Sequence, residues 1–283
     1  MRIAVSGAKG GSGKTWIATN LTCALEHSGM EVGFLDVDVE EPNAHLFLRP
    51  KIERSEAVRV LVPEVDPNLC DQCGKCHEFC AFHAILPLGK ETLVFRELCH
   101  SCGGCVRVCT KSAIREVPLT IGTFEEGSRR SLVFASGELH IGYPRPGPVI
   151  EAVKKKAKKC AVTILDTPPG TSCPVIQALS GATFVLQVIE ATPFGVSDFL
   201  LALKMLKRLK LPFGVALNRF SPASGQESLD TLKRLGLEPL QIFPDDLRIS
   251  QAYAEGKLGF EALGFVRPLF EGLAQNLMAR VSS

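Results

Sequence analysis

The chain has 283 residues, 46% of them hydrophobic and 22% charged, with a formal net charge of +2. That length accommodates one large α/β domain and a small second one, and the even charge balance asks for neither a nucleic acid nor a membrane surface as partner. No apolar run approaches the length of a transmembrane helix. The eleven cysteines read as metal ligands in a reducing, cytoplasmic compartment. Residues 2–5 form a predicted strand that runs straight into a glycine-rich loop, so no cleavable leader is expected.

In chain order, a strand over 2–6, a glycine-rich loop over 7–13, a helix over 14–27 and a strand over 31–38 make a βαβ opening, which implies a parallel sheet. Short cysteine-rich loops then replace long apolar elements between prolines at 63 and 118. This divides the chain into 1–62, an inserted small α+β unit over 63–118, and 119–283. Short strands are expected across 121–141 and a helix over 149–159, whose basic run Lys154, Lys155, Lys156, Lys158 and Lys159 reads as a solvated face. Strands over 161–165, 182–189, 213–218 and 240–243 follow, with helices over 195–210, 226–235, 248–255 and 268–281. Several strands are continuous apolar runs, as in a sheet covered on both faces. The expected fold is α/β, a parallel-sheet P-loop architecture interrupted once.

Lys9-Gly10-Gly11-Ser12-Gly13-Lys14-Thr15 lies between a predicted strand and a predicted helix. There, successive backbone N–H groups and a helix N-terminus face an anion. Lys14 is expected to neutralise the β- and γ-phosphates of ATP, and the Thr15 hydroxyl to ligate Mg²⁺. With its second lysine at position 9, the loop resembles the deviant Walker A motif of the MinD, ParA, Mrp and nitrogenase iron protein superfamily. That resemblance implies a MinD-like fold and a homodimer bridged by ATP, with Lys9 reaching the other subunit's nucleotide. Asp36-Val37-Asp38 matches the family's carboxylate pair, which implies that Asp38 orients the attacking water and Asp36 lies near the metal. Asp166-Thr167-Pro168-Pro169-Gly170 is similar to its Walker B and switch II segment, placing Asp166 at the Mg²⁺. Asn218-Arg219 resembles the adenine-reading position, and Pro244-Asp245-Asp246 the second segment lining the base. Trp16 departs from the pattern, because relatives usually carry a small hydroxyl residue there against the α-phosphate.

Cys70, Cys73, Cys76 and Cys80 follow the spacing C-x2-C-x2-C-x3-C, and Cys99, Cys102, Cys105 and Cys109 repeat it. Three thiolates at this spacing fit three corners of one [4Fe-4S] cubane, while the fourth cysteine of each run ligates the other cluster. The expected sets are therefore Cys70, Cys73, Cys76 and Cys109, and Cys99, Cys102, Cys105 and Cys80. Zinc competes for the same thiolates, but structural zinc sites prefer separated C-x2-C pairs. The segment resembles two-cluster ferredoxins, with Ala81 and Thr110 where those proteins usually carry proline. Cys23 and Cys160 are expected in the core. Cys173 lies seven residues after Asp166, the offset of a bridging-cluster ligand in the nitrogenase iron protein, but no second cysteine lies between 136 and 144.

An ATP-driven dimer moves whatever lies close to its switch segments, and the cysteine-rich unit follows soon after Asp38, Glu40 and Glu41. The leading expectation is ATP-gated electron transfer. The alternatives are a MinD-like positioning or assembly ATPase with redox-sensing clusters, and an Mrp-like cluster carrier or scaffold. No membrane anchor is expected, because Ser283 follows directly on the last predicted helix without the extra basic amphipathic helix of MinD-like attachment.

Overall fold

The computed structural model describes residues 1–282; Ser283, on which the expectation about the chain end rests, lies outside them. The opening forms as expected from β1 (Arg2–Ser6), α1 (Lys14–His27) and β2 (Val32–Asp36), followed by α2 (Ala44–Leu48). Then come β3 (Lys51–Val65), α3 (Lys75–Phe79), β4 (Ile85–Pro87), β5 (Thr92–Val94), α4 (Gly104–Val108), β6 (Ile114–Arg129) and β7 (Leu132–Leu139). The α/β alternation resumes with α5 (Gly147–Lys156), β8 (Val162–Asp166), α6 (Cys173–Leu179), β9 (Phe184–Glu190), α7 (Pro193–Leu209), β10 (Phe213–Phe220) and α8 (Pro222–Arg234). It closes with β11 (Gln241–Pro244), α9 (Leu247–Ala254), α10 (Gly259–Ala262) and α11 (Arg267–Ser282).

Nine strands form one sheet in the order β11-β10-β9-β1-β8-β2-β7-β6-β3. All neighbours are parallel up to β7, while β6 and β3 are antiparallel additions at one edge. The period of two along each strand separates two cores. Ile3, Val5, Phe34 and Ile164 face α1 and α11, where Leu21, Phe270 and Leu273 pack on them. Ala4, Leu35 and Leu165 face the opposite layer, with Val149 and Val153 of α5 and Leu179 of α6. β1 sits between β9 and β8, so strand order reverses there, and ligands in open α/β sheets bind at that point beyond the strand C-termini.

The edge corrects the sequence reading. The stretch 121–141, expected to hold short strands, holds the 8-residue β7 and the second half of a 16-residue β6 that begins at Ile114 inside the expected insert, and the 15-residue β3 has no counterpart among the expected elements. The prolines taken as boundaries lie inside strands, Pro63 opposite Glu116 and Pro118 opposite Leu61. Each is tolerated because one side of its strand is unpaired: β3 is the outermost strand, and β6 at Pro118 has run past its pairing with β7, which reaches only Gly122. Residues 66–113 stand outside this sheet and hold the two-stranded β4–β5 sheet and the short helices α3 and α4.

The basic run is also used differently. α5 ends at Lys156, and Lys154 is buried at 7% exposure with its ammonium donating to the carbonyl oxygens of Gln177 and Ser180, both at 2.6 Å. It caps the C-terminus of α6, whose last carbonyls carry partial negative charge and no intrahelical donor. Lys156 pairs with Glu56 at 2.7 Å, which ties α5 to β3. Replacing Lys154 by Ala removes two hydrogen bonds at the half-buried end of α6. We expect a loss of about 2 kcal/mol, read from the urea unfolding midpoint; an unchanged midpoint would show that burying the ammonium cancels its hydrogen bonds.

Candidate nucleotide site and cysteine hollows

The loop after β1 folds tightly around Lys14, which is only 6% exposed. A Cβ on Gly7 would lie 2.6 Å from the Ser12 hydroxyl and 3.1 Å from Lys14 Cγ, and Gly13 has φ 93° with no room for a Cβ against Asn218. Asn218 donates from Nδ2 to the Ser12 carbonyl at 2.9 Å. The residue expected to read the base therefore also fastens the loop to the end of β10. From the switch II segment, the Gly170 N–H donates to the Gly7 carbonyl at 3.1 Å, which ties that segment to the loop.

Three carboxylates meet at the ends of β2 and β8. Asp36 is fully buried, with its oxygens accepting backbone N–H groups from Asp38, Asn43 and Ala44 at 3.2, 3.1 and 3.0 Å. Asp166 lies opposite it in the strand register, is 1% exposed, and neither of its oxygens has a hydrogen-bond partner. Burial pushes both carboxyls up, and for Asp36 the neighbouring Asp166 adds to the push. The Thr15 hydroxyl and Lys14 oppose the shift of Asp166 from nearby, although Thr15 makes no hydrogen bond to it. Asp36, expected near the metal, thus spends its lone pairs on the backbone, while Asp166 beside Thr15 is an orphaned oxygen ligand suited to a hard divalent cation. Asp38 is pushed up to about 6 by burial, against the attraction of Lys14 and with help from Glu41 and Glu40.

A cavity of about 180 Å³ opens beside the loop, lined by Gly11, Gly13, Trp16, Asn218, Arg219, Pro244, Asp245 and Asp246. The fold thus gathers the segments expected to face a nucleotide base. Trp16 forms one wall, 4% exposed and held edge-on by Phe243 and Phe270 at ring distances of 5.3 and 5.0 Å. The Asp246 carboxylate is engaged in capping α9 and pairing with Arg248 at 2.7 Å. Ile249, Ser250 and Tyr253 of α9 complete the wall and were missed from sequence. Their spacing of three, four and seven residues from Asp246 marks one face of a helix, which was the available signal. Glu190 was missed too: it holds Lys9 and Arg219, each at 3.4 Å, leaving the Lys9 side chain 50% exposed at the mouth of the loop.

The two cysteine runs adopt the same local geometry. Gln72 and Ser101, each just before the second cysteine of its run, have φ of 60° and 57°; His83 and Ser112 both have φ 50°. These left-handed positions, uncommon for non-glycine residues, turn N–H groups towards sulfur. Ala84 donates to Cys80 Sγ at 3.4 Å, Ala113 to Cys109 Sγ at 3.3 Å and Ser101 to Cys99 Sγ at 3.4 Å. One hollow, about 20 Å³ and narrowed by Gln72 reaching Thr92 at 3.1 Å, is lined by Cys70, Cys73, Cys76 and Cys109. The other, about 210 Å³, is lined by Cys80, Cys99, Cys102 and Cys105. Among the described residues no three His, Cys, Asp or Glu side chains are gathered to hold a metal ion; these sulfurs surround hollows instead of converging on one point. Of the remaining cysteines, Cys23 is buried with its thiol pushed up to about 12 by burial. Cys160, expected in the core, is only partly buried beside Gly33, and Cys173 is exposed at the start of α6.

A phosphate loop at the switch point of a parallel sheet, with an orphaned carboxylate behind it and a base-sized cavity beside it, defines a P-loop nucleotide-binding protein. Residues 3–259 match the family model of the CobQ/CobB/MinD/ParA nucleotide binding domain, and the chain belongs to that family. It is similar to two uncharacterized proteins of Methanocaldococcus jannaschii. One is 29% identical over 91% of this chain and 90% of that protein, the other 33% identical over 77% and 78%. The septum site-determining protein MinD of Pyrococcus horikoshii, solved in complex with Mg-ADP, shares the fold at a TM-score of 0.61 and 18% identity, over 100% of this chain and 98% of that one. An iron-sulfur cluster carrier protein of Synechocystis is 48% identical over 46 residues, 16% of this chain and 13% of that protein. Among the described residues no helix is long and apolar enough to cross a membrane.

An unpaired buried carboxylate destabilises the empty protein. Asp166→Asn is therefore expected to raise the melting temperature of the nucleotide-free form by roughly 2–6 °C, while the response of Trp16 emission to Mg-ATP weakens at least tenfold in concentration. An unaltered melting temperature would mean that Asp166 is already satisfied without a cation.

Proposed function

We propose that the protein is a homodimeric ATPase that carries two [4Fe-4S] clusters and couples its nucleotide state to electron transfer. The pair of four-cysteine hollows carries this reading, because their membership coincides with the crossed sets that two cubanes require. Structural zinc sites prefer separated C-x2-C pairs, whereas each hollow is lined by three cysteines of one run and the fourth of the other. Cys70, Cys73, Cys76 and Cys109 would hold one cluster, and Cys80, Cys99, Cys102 and Cys105 the other. When bound, each would supply one-electron redox chemistry, its potential tuned by the N–H groups that Ala84, Ser101 and Ala113 donate to the sulfurs of Cys80, Cys99 and Cys109.

At the nucleotide site, Lys14 and the loop N–H groups bind the phosphates, while Thr15 and Asp166 would hold a Mg²⁺ that neutralises charge on the phosphate oxygens. Asp38 accepts a hydrogen bond from the attacking water and orients it at the γ-phosphate. Asn218, Arg219, Pro244 and α9 position the base. Lys9 is held only by a half-exposed ion pair to Glu190, an attachment worth little, so it can leave for the partner subunit's phosphates when ATP bridges two copies.

A second reading, delivery of clusters to other proteins, is favoured by the short similarity to iron-sulfur cluster carrier proteins. The committed ligand sets argue for retention, and the rate at which a reconstituted sample activates an apoferredoxin separates the two.

Anaerobically prepared protein is expected to contain close to eight irons per chain, from two cubanes, and no stoichiometric zinc. Two tightly bound zinc ions and no iron would remove the redox reading. ATP hydrolysis should fall as pH drops through about 6, because Asp38, pushed up to about 6, must be ionised to orient water. Asp38→Asn should bind ATP and hold the dimer yet hydrolyse it about 100-fold more slowly, without that pH dependence. A wild-type rate that stays flat from pH 7.5 to 5 assigns the role elsewhere.

A further inference from the structure

The phosphate loop follows the end of β1, and at the other end of the sheet the starts of β1 and β8 border a second cavity, of about 270 Å³. Arg2 reaches it from β1, Thr163 from β8 and Lys154 from α5, while Lys158, Lys159 and Cys160 come from the connection between α5 and β8. No carboxylate lines it. Cys160 adds no negative charge, because burial pushes its thiol up. The acids felt at Cys160 are Glu31 and Glu126, and Glu126 is already engaged by the Lys158 N–H at 2.6 Å and by Arg54 at 3.7 Å. Four cationic side chains therefore line a cavity that holds no counter-charge of its own.

Two of the lining side chains are buried with donors to spare. Thr163 is 6% exposed, and its hydroxyl has no hydrogen-bond partner among the described residues. It shares one corner of the cavity with Cys160: a Cβ on Gly33 would lie 3.4 Å from the Thr163 hydroxyl and 3.2 Å from the Cys160 sulfur. Lys154, also buried, gives two of its three N–H groups to the carbonyls of Gln177 and Ser180 and has no partner for the third among the described residues. Burial pushes its ammonium down and the Arg2 charge adds to this, against Glu151, which is paired with Lys155 at 3.0 Å. Arg2 itself donates once, from Nη2 to the Lys154 carbonyl at 3.3 Å, and meets no carboxylate among the described residues. Unpaired cations beside an unbonded buried hydroxyl leave a demand for an anion with several acceptor oxygens.

We propose that this cavity is a second ligand site, for a small phosphorylated molecule, with Arg2, Thr163 and the lysines as its phosphate contacts. A guanidinium offers an oxyanion paired N–H groups, while the hydroxyl and the ammonium groups donate singly. Several cations around one cavity favour a dianionic phosphate over a singly charged carboxylate. The volume leaves room for a few carbon atoms beside the phosphate. No aromatic side chain lines this cavity, unlike the one walled by Trp16, so a nucleotide base finds no ring to stack on. Thr163 lies three residues before Asp166 on β8, about 10 Å at the rise of a strand. The two sites are therefore separate, and both can be filled at once.

The test is isothermal titration calorimetry of the full-length protein at physiological ionic strength, with excess Mg-ADP present so that the phosphate loop is occupied. The probes are glycerol 3-phosphate and, as a singly charged comparison, acetate. Glycerol 3-phosphate should bind once per chain and about tenfold or more tightly than acetate. Arg2→Gln should weaken it about tenfold, and Lys159→Gln, at an exposed position, about threefold. Thr163→Val should also weaken it about tenfold, while the melting temperature of the protein without glycerol 3-phosphate stays level or rises, because a buried hydroxyl without a partner does not stabilise the fold. A hydroxyl with a merely structural role would instead lower the melting temperature and leave the affinity alone. Should Arg2→Gln not accumulate as folded protein, Thr163→Val and Lys159→Gln carry the same comparison. Absence of saturable binding, affinity no greater than for acetate, or affinity unaltered in these variants overturns the proposal. Binding seen only when Mg-ADP is omitted belongs to the phosphate loop and overturns it equally.

Discussion

Asp166 sets the terms of this protein's nucleotide edge. Its carboxylate is 1% exposed and meets no donor, while three N–H groups satisfy Asp36 across the register from it. Burial pushes that carboxyl up to about 7 against the pull of Thr15 and Lys14, so a further cation beside it would favour the ionised form. A few ångströms of sheet away, the loop around Lys14 has the opposite need, for an anion over its N–H groups and ammonium. A metal-bound phosphate has the charge pattern that would meet both demands.

The cysteine-rich segment is joined to the nucleotide-binding sheet by strand pairing. The β3–β6 pair grows out of the same sheet, antiparallel and at one edge, and carries residues 66–113 beyond its C-terminal end on continuous backbone hydrogen bonds. The segment hangs on a paired strand arm in place of a flexible linker, and α5 braces that arm through Lys156 and Glu56. Within 66–113, equivalent positions of the two runs share backbone angles, but their settings differ. One hollow is occluded by Gln72 and exposed to its own segment's charges, the other is wider and joined to the ATP-side core. A repeated local motif thus ends in two unequal sites.

Much of this was legible before any coordinates. Positions with strong local rules read correctly: α1 to the residue and the apolar strands covered on both faces, and the structure gathers the segments at Asn218 and Pro244 around one cavity beside the loop. These signals are local because the chemistry is local; a phosphate cradle and a cubane corner each need a short chain segment in one conformation. The sequence reading failed where a proline was taken as a boundary, because whether Pro63 and Pro118 are tolerated depends on which strand edge is unpaired, a property of the neighbours. It failed again at Lys154, where a run of lysines looks solvated until another helix places its carbonyls on one of them.

The sequence by itself determined that this chain builds a phosphate-binding loop on a parallel sheet and brings two sets of four cysteines, since spacing and side-chain chemistry suffice for both. Only the tertiary structure decided which carboxylate is left unsatisfied, that α9 walls the cavity beside the loop, and which cysteine set lies against the nucleotide-binding core. Those outcomes depend on strand order and register, which bring Asp36 opposite Asp166 and Leu139 against Val39 across long stretches of chain. No local pattern encodes such pairings, because burial of whole sheet faces selects them.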